Sequence, residues 1–296
     1  MMQFDRDSRR QIKNVIMMSL TVVCIGLALI PLGSILYSVT VQGASVINGE
    51  FFTAVQPIPC TSGASTACPQ GGIAHAIVGT LLLLALSCLI AIPLGILTGI
   101  YLAEYGKGPL VVGVRFFADV MTGFPSIVMG MFIYAGFQIV SPGIVFSALA
   151  GALALAVLVL PFVARTTEEA LRLVPNSLRE AALALGVPKY RVTGRVALSS
   201  AREGVVTGAI LAMGRVGGET APLIMTAFGN TFMSTRLDQP IDAMSLLIFN
   251  FASSPYSNWN ALAWGTALIL ALMMLGLSIA VRVLLRRRFR ERRIGA

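Results

Sequence analysis

Residues 75–103 read HAIVGTLLLLALSCLIAIPLGILTGIYLA, a stretch without a single Asp, Glu, Lys or Arg. A helix needs about 20 mostly apolar residues to cross the hydrocarbon of a bilayer, and this stretch is long enough. It is not isolated, because residues 14–49, 51–103, 120–164 and 243–281 are also free of charge. Turn signals cut these runs, and the more polar region between the last two, into predicted helices near 15–40, 75–103, 120–140, 144–164, 204–228 and 259–285. The fold class is therefore all-α, a polytopic membrane protein with six transmembrane helices.

Composition supports this from the other side. Of 296 residues, 56% are hydrophobic and only 12% charged, whereas an ordinary globular domain has about a quarter of its residues charged. A soluble enzyme and the disordered, collagen-like or low-complexity classes are excluded. The third and fourth spans are joined by Ser141-Pro142-Gly143, a tight turn that makes them a hairpin. Pro31, Pro93, Pro125 and Pro161 fall inside or near the ends of spans, where each removes a backbone donor and can kink its helix. The first apolar stretch follows Arg6, Arg9, Arg10 and Lys13. It exceeds the roughly 7–15 residues of a signal-peptide core and reads as a retained helix.

The charges locate the two sides of the membrane. With the N-terminus in the cytoplasm, 20 of the 22 Lys and Arg residues fall on cytoplasmic segments, Arg236 lies outside, and Arg215 sits within a span. So strong a positive-inside bias places both termini in the cytoplasm and the chain in the cell membrane as a multi-pass protein. The net charge of +9 thus needs no nucleic-acid partner, since the cluster Arg286-Arg287-Arg288-Phe289-Arg290 abuts a span and suits anionic headgroups. The resulting organisation is a cytoplasmic N-terminus (1–14), a first span (15–40), an extracytoplasmic loop (41–74), a core of five spans (75–285) with a large cytoplasmic loop at about 165–203, and a basic tail (286–296).

Cys24 and Cys88 fall in spans and read as packing residues. Cys60 and Cys68 lie in the exterior loop, on the side where disulfides persist. They are expected to be bridged, with free thiols as the alternative. His75 is the only histidine, so no His-based metal site or relay is expected. Gly106-Lys107 lacks the glycine-rich loop of a nucleotide-binding motif, and no cofactor or metal is expected on this chain.

The large cytoplasmic loop carries Pro175-Asn176-Ser177-Leu178-Arg179-Glu180-Ala181-Ala182-Leu183-Ala184-Leu185-Gly186. Asn176 or Ser177 can cap a helix starting after Pro175, the alanines favour its interior, and Gly186 can end it. A short surface helix between two spans forms a cytoplasmic knob. Glu180-Ala181-Ala182, then Gly186, then Val196-Ala197-Leu198 resembles the EAA motif of ABC importer permeases, with Ser199 where that family usually has Pro. The resemblance implies that Glu180, Ala181, Ala182 and Gly186 belong to a coupling helix seated in a cleft of a separate ATPase subunit.

The fifth span contains Arg215-Val216-Gly217-Gly218-Glu219-Thr220-Ala221-Pro222-Leu223. A charge at the bilayer centre costs about 2.5–3.5 kcal/mol on insertion scales, so Arg215 and Glu219 should face protein or a wet cavity. Their i,i+4 spacing places them on one helix face. One reading is a self-neutralising pair that locks helices together. The other is an anion path in which Arg215 attracts the substrate, Glu219 holds Arg215 when the path is empty, and Gly214, Gly217 and Gly218 expose approachable backbone. Thr122, Ser126 and Thr220 are candidate neutral donors, though hydroxyls in membrane helices often bond their own backbone. Arg115 and Asp119, also i,i+4, read as a surface ion pair.

The Arg215–Leu223 segment resembles the signature of the phosphate-importing ABC permeases, with Val216 where that family often has Ala. Asp119-Val120-Met121-Thr122-Gly123-Phe124-Pro125-Ser126-Ile127-Val128 and Gly204-Val205-Val206-Thr207-Gly208-Ala209-Ile210-Leu211 resemble two further stretches of that family. The resemblance implies a type I ABC importer permease fold and a transport subunit that is not itself an enzyme. Its implied partners are a second homologous permease, a cytoplasmic ATPase dimer that uses ATP and Mg, and an extracytoplasmic phosphate-binding protein. On that reading Arg215, Glu219, Thr220 and Ser126 line the substrate path. A permease for molybdate, sulfate or tungstate, or a secondary anion transporter, is the alternative.

Overall fold

The computed structural model describes residues 2–58 and 71–294. Twelve α-helices occur among them: α1 (Met2–Ala44), α2 (Gly49–Thr53), α3 (Ala74–Ile100), α4 (Pro109–Gly123), α5 (Ser126–Val140), α6 (Ala148–Arg172), α7 (Asn176–Ala184), α8 (Lys189–Arg191), α9 (Leu198–Val216), α10 (Ala221–Thr226), α11 (Met244–Ala252) and α12 (Ser257–Ile294). A π-helical turn, Tyr101–Tyr105, extends α3, and another, Val192–Ala197, joins α8 to α9. Arg10–Ala44, Ala74–Tyr105, Ala148–Arg172, Lys189–Val216 and Ser257–Val283 are each long and apolar enough to cross a bilayer. The pair α4–α5 passes the same test only together, which gives five spans, or six with the bent pair counted as one.

The predicted third span, 120–140, is where the sequence reading misplaced a helix. The structure has two helices there, bent by 110° at Phe124-Pro125. Pro125 disfavours helical geometry in the residue before it, and Phe124 is accordingly extended, with φ −71 and ψ 142. The predicted fourth span, 144–164, begins and ends later, so Arg165 and Arg172 lie on α6 rather than in a loop. Ser147 starts α6 by accepting from the Ala150 N–H at 3.1 Å. A 3₁₀ turn, Pro142–Ile144, makes the short connection from α5, and the two helices pack together.

Helix α6 is the hub, packed against α3, α4, α5, α9 and α10. Lipid is as apolar as a leucine side chain, so membrane helices gain from close packing of small residues rather than from burial alone. The α6 face is built that way, with Ala148, Ala150, Gly151, Ala152, Ala154 and Ala156 buried. Its neighbours answer with glycines. A Cβ on Gly95 of α3 would sit 2.8 Å from Val163 Cβ, one on Gly99 2.6 Å from the Ala164 oxygen, and one on Gly204 of α9 2.8 Å from Ala170 Cβ. By contrast α1 is exposed along most of Arg10–Ala44 and leans on α12, where Gly43 lets Trp264 and Leu268 approach. Cys88 is buried in the core as expected, whereas Cys24 is exposed on α1 and not part of the packed core. Cys60 and Cys68 lie outside the described residues.

The exterior ends of α3 and α6 are covered by the chain between α10 and α11. The first N–H groups of a helix lack partners within it, and here the backbone of this segment supplies them. Ser147 N donates to the Thr226 oxygen at 2.9 Å, Ala148 N to Gln239 at 2.9 Å, and Leu149 N to Leu237 at 3.0 Å. Thr80 Oγ1 accepts from Met244 N at 2.8 Å. Beneath the strap, a Cβ on Gly79 would overlap the backbone carbonyl oxygen of Asp242. Gly79→Ala is therefore expected to lift the strap and destabilise the protein by about 1–3 kcal/mol, read as a lower melting temperature in detergent. An unchanged melting curve would show that the strap yields freely.

Candidate functional site

The predicted fifth span, 204–228, is not one helix. Its helical run, Lys189–Val216, is followed by a four-residue break, Gly217–Thr220, and by the six-residue α10. Gly217 and Gly218 are poor helix formers, and Pro222 at the start of α10 cannot continue an incoming helix. Gly217 N still bonds the Met213 oxygen at 3.0 Å and Glu219 N the Val216 oxygen at 3.1 Å, after which the chain departs. The Ser245 hydroxyl of α11 donates to the Glu219 backbone oxygen at 2.9 Å and holds the break in place.

The break lies within the membrane. Val216, Gly217 and Glu219 share a cavity with Thr80, Leu84 and Leu155. Leu155 is seven residues into α6, so roughly 10 Å of that helix remains on the exterior side.

Arg215 therefore lies in the last turn of α9 and Glu219 within the break, and the i,i+4 relation does not apply to them. No ion pair joins them among the described residues; Arg215 is exposed and Glu219 half-buried. Neither they nor the Ser126 and Thr220 hydroxyls have a side-chain hydrogen bond within the described chain. Ser126 opens α5, and Gly130, one turn on, lies against Pro222, two residues past Thr220. The Thr122 hydroxyl instead donates to the Asp119 oxygen at 2.7 Å. Gly214 and Gly218 face open space, as an approachable backbone requires, but Gly217 is covered by Met274 of α12. The cavity beside Glu219 measures about 10 Å³, scarcely a water's worth, so the described residues leave no room for an oxyanion at that point. Four polar side chains thus stand without partners on a surface at membrane depth.

At the cytoplasmic end the expected Arg115–Asp119 pair is not formed. Arg115 reaches across to α6, where its Nε donates to Glu168 Oε1 at 2.7 Å and its Nη2 to the Leu102 oxygen at 3.0 Å. Asp119 pairs with Arg165 at 3.0 Å. Glu168, only 1% exposed, also forms an ion pair with Arg172 at 2.8 Å and has Arg165 at 3.7 Å from its other oxygen. This cluster fixes α4 to α6 and thereby sets the direction in which the bent pair enters the membrane.

Helix α7 has no buried residue, so it is a knob as expected. Glu180, Ala181 and Gly186 are exposed and Ala182 half-buried. Pro175, not Asn176 or Ser177, occupies the cap position, and Asn176 Oδ1 accepts from Arg179 at 3.3 Å. Gly186 does end the helix. Its φ of +77 suits glycine, and the bonds Gly186 N to Leu183 and Val187 N to Ala182 close a Schellman turn. Leu185 and Leu173 stand 84% exposed beside it, an apolar surface presented to the cytoplasm.

Two exterior pairs complete the electrostatics. His75, for which no partner was expected, lies buried with its Nε2 3.2 Å from Asp242 Oδ2. Nothing in a sequence signals a contact between residues so far apart. Arg236 pairs with Asp238 at 2.8 Å and holds that carboxyl below the usual carboxylate range. The single exterior cation of the topology count is thus locally balanced.

A hub of small-residue packing, a broken helix with unpartnered polar groups at membrane depth and a cytoplasmic knob make up a membrane permease. Residues 91–290 match the family described as the binding-protein-dependent transport system inner membrane component. Curated relatives include the phosphate transport system permease protein PstA of Pasteurella multocida, 41% identical over 93% of this chain and 95% of that one. PstA of Yersinia pestis is 43% identical over 93% of this chain and 90% of its own length. The chain belongs to this transport-system family and, within it, to the permeases of the PstA type. Among solved structures, the MetNI methionine ABC transporter in inward-facing conformations matches with a TM-score of 0.58 at 18% identity, covering 72% of this chain and 95% of that one. The fold is that of a type I ABC importer permease, a multi-pass protein of the cell membrane.

Proposed function

We propose that the chain is the membrane-spanning permease subunit of an ATP-driven importer of inorganic phosphate, translocating phosphate by alternating access. The observation that carries this is identity above 40% to PstA permeases over 93% of the chain. The chain's part is to form one wall of the path. A second, homologous permease forms the other, in keeping with an exposed Arg215 that has no side-chain partner among the described residues. ATP and Mg are used by a cytoplasmic ATPase dimer that docks on α7 through Glu180, Ala181, Ala182 and Gly186, and an extracytoplasmic binding protein delivers phosphate. Arg215 attracts the anion with a guanidinium suited to forked contact with its oxygens. Ser126 and Thr220 supply neutral donors, and Glu219 limits residence by repulsion.

The complete complex in vesicles is expected to take up labelled phosphate only when ATP and the binding protein are both present. Uptake driven by an ion gradient alone would replace this reading with a secondary transporter. Competition by excess arsenate, but not by sulfate or molybdate, is expected, and the reverse order would reassign the cargo to another oxyanion.

A further inference from the structure

We infer that the Arg179–Glu104 ion pair fastens the coupling helix to the third helix of the bundle, and that this fastening makes ATPase movement productive for transport. The inference rests on the reading that α7 docks on an ATPase.

Helix α7 is weakly held by packing, since none of its residues is buried. Its attachment is concentrated in Arg179. The Nε and Nη2 of that residue donate to Glu104 Oε1 at 2.9 and 2.7 Å. Nη2 also donates to the Leu171 oxygen at 2.7 Å, and Nη1 to the Val174 oxygen and to Asn176 Oδ1. All three guanidinium nitrogens are engaged, and the side chains are only 16% and 8% exposed. One residue of α7 therefore grips the end of α6 and the π turn that ends α3.

That π turn is a junction. Besides holding Arg179 through Glu104, it accepts Arg115 of α4 at the Leu102 oxygen. Its Tyr105 ring lies 4.8 Å beneath the Lys189 ammonium of α8, just past the coupling helix. The other π turn, Val192–Ala197, packs on α7 and continues into α9, which ends at the break beside Arg215. Displacement of α7 thus reaches the break along α9 through the covalent chain, and reaches α3 and α4 through Glu104. Without the pair, α7 and α9 would move while α3 stayed behind, and ATP would be spent without opening the path. Arg179 and Glu104 are positioning residues, remote from phosphate and absent from the exposed face of α7.

The test uses the complete complex in vesicles with inorganic phosphate as probe, measuring phosphate taken up per ATP hydrolysed. Glu104→Gln keeps the side chain's size and leaves the Arg179 bonds to Leu171 and Val174 in place. It is expected to assemble and hydrolyse ATP normally while phosphate per ATP falls about tenfold, the scale of typical coupling energies. Glu104→Asp, which keeps the charge, is expected to recover most of the ratio. An unchanged ratio in Glu104→Gln overturns the proposal. Loss of assembly in both variants also overturns it, leaving the pair a purely structural one. Should the unsubstituted complex itself show no ATP-dependent uptake, the transport reading fails instead.

Discussion

Arg215→Gln is expected to abolish phosphate uptake, by a hundredfold or more, while the permease still folds and assembles. The side chain makes no hydrogen bond or ion pair within the described chain and is exposed at the end of α9. Its removal therefore costs the fold almost nothing, on the order of 0.5 kcal/mol or less. For an anion passing the break the loss is different in kind. A hydrogen bond to a charged group contributes about 1.5–3 kcal/mol, and a guanidinium can form two in parallel to one oxyanion. Two such bonds correspond to a hundredfold or more in rate or occupancy. Arg215→Lys keeps the charge without the fork and is expected to fall between wild type and Gln. Glu219→Gln is expected to block transport too, by leaving the anion bound. The checks are uptake in vesicles, co-purification with the ATPase and melting temperature; normal uptake in both Gln variants would leave Arg215 and Glu219 as structural groups.

Glu168→Ala is expected to cause the largest loss of stability of any single substitution discussed. Its carboxylate is buried, yet it is the common counter-charge of Arg115 and Arg172 and lies near Arg165. Removing one member of a buried charge cluster costs about 3–5 kcal/mol, chiefly because the opposite charges are left uncompensated. Arg115 suffers most, since it stays tied to Leu102 at the membrane boundary with its main counter-charge gone. Glu168→Gln retains a carbonyl acceptor for the Arg115 and Arg172 N–H groups and is expected to lose less. Thermal unfolding in detergent should rank wild type above Gln and Gln above Ala, and an Ala variant melting with wild type would show that Asp119 alone neutralises the cluster.

Reading order along the chain explains what could be foreseen. The set of long apolar helices, the α7 knob and its Gly186 stop depend on local composition and on turn chemistry, so they stand in the sequence itself. The break at Gly217–Thr220 was missed because its glycines were weighed as places for an anion to approach. They were not weighed as helix breakers acting together with Pro222. Likewise Pro125 was expected to kink a single helix, and it separates two. The ion pairs failed for another reason. An i,i+4 spacing nominates a partner on the same helix, but Arg115 found Glu168 53 positions away and Arg179 found Glu104 75 positions away. Such pairings arise only after helices pack, and a buried carboxylate draws on whichever cations surround it. The candidate path residues were nominated through the two motifs that contain them, and their lack of mutual contact could not be read there.

Met274 covers Gly217 at the break, and the choice of side chain has a mechanical meaning. An alternating path requires the surface around the break to be filled in two different shapes, and a rigid branched side chain fits only one of them. An unbranched thioether turns about three bonds at little cost and makes favourable contacts in irregular gaps. Placed on α12 against a glycine that offers no side chain of its own, Met274 works as a compliant seal. Under the alternating access proposed above, it can follow the backbone of the break through both shapes while keeping its place against Gly217.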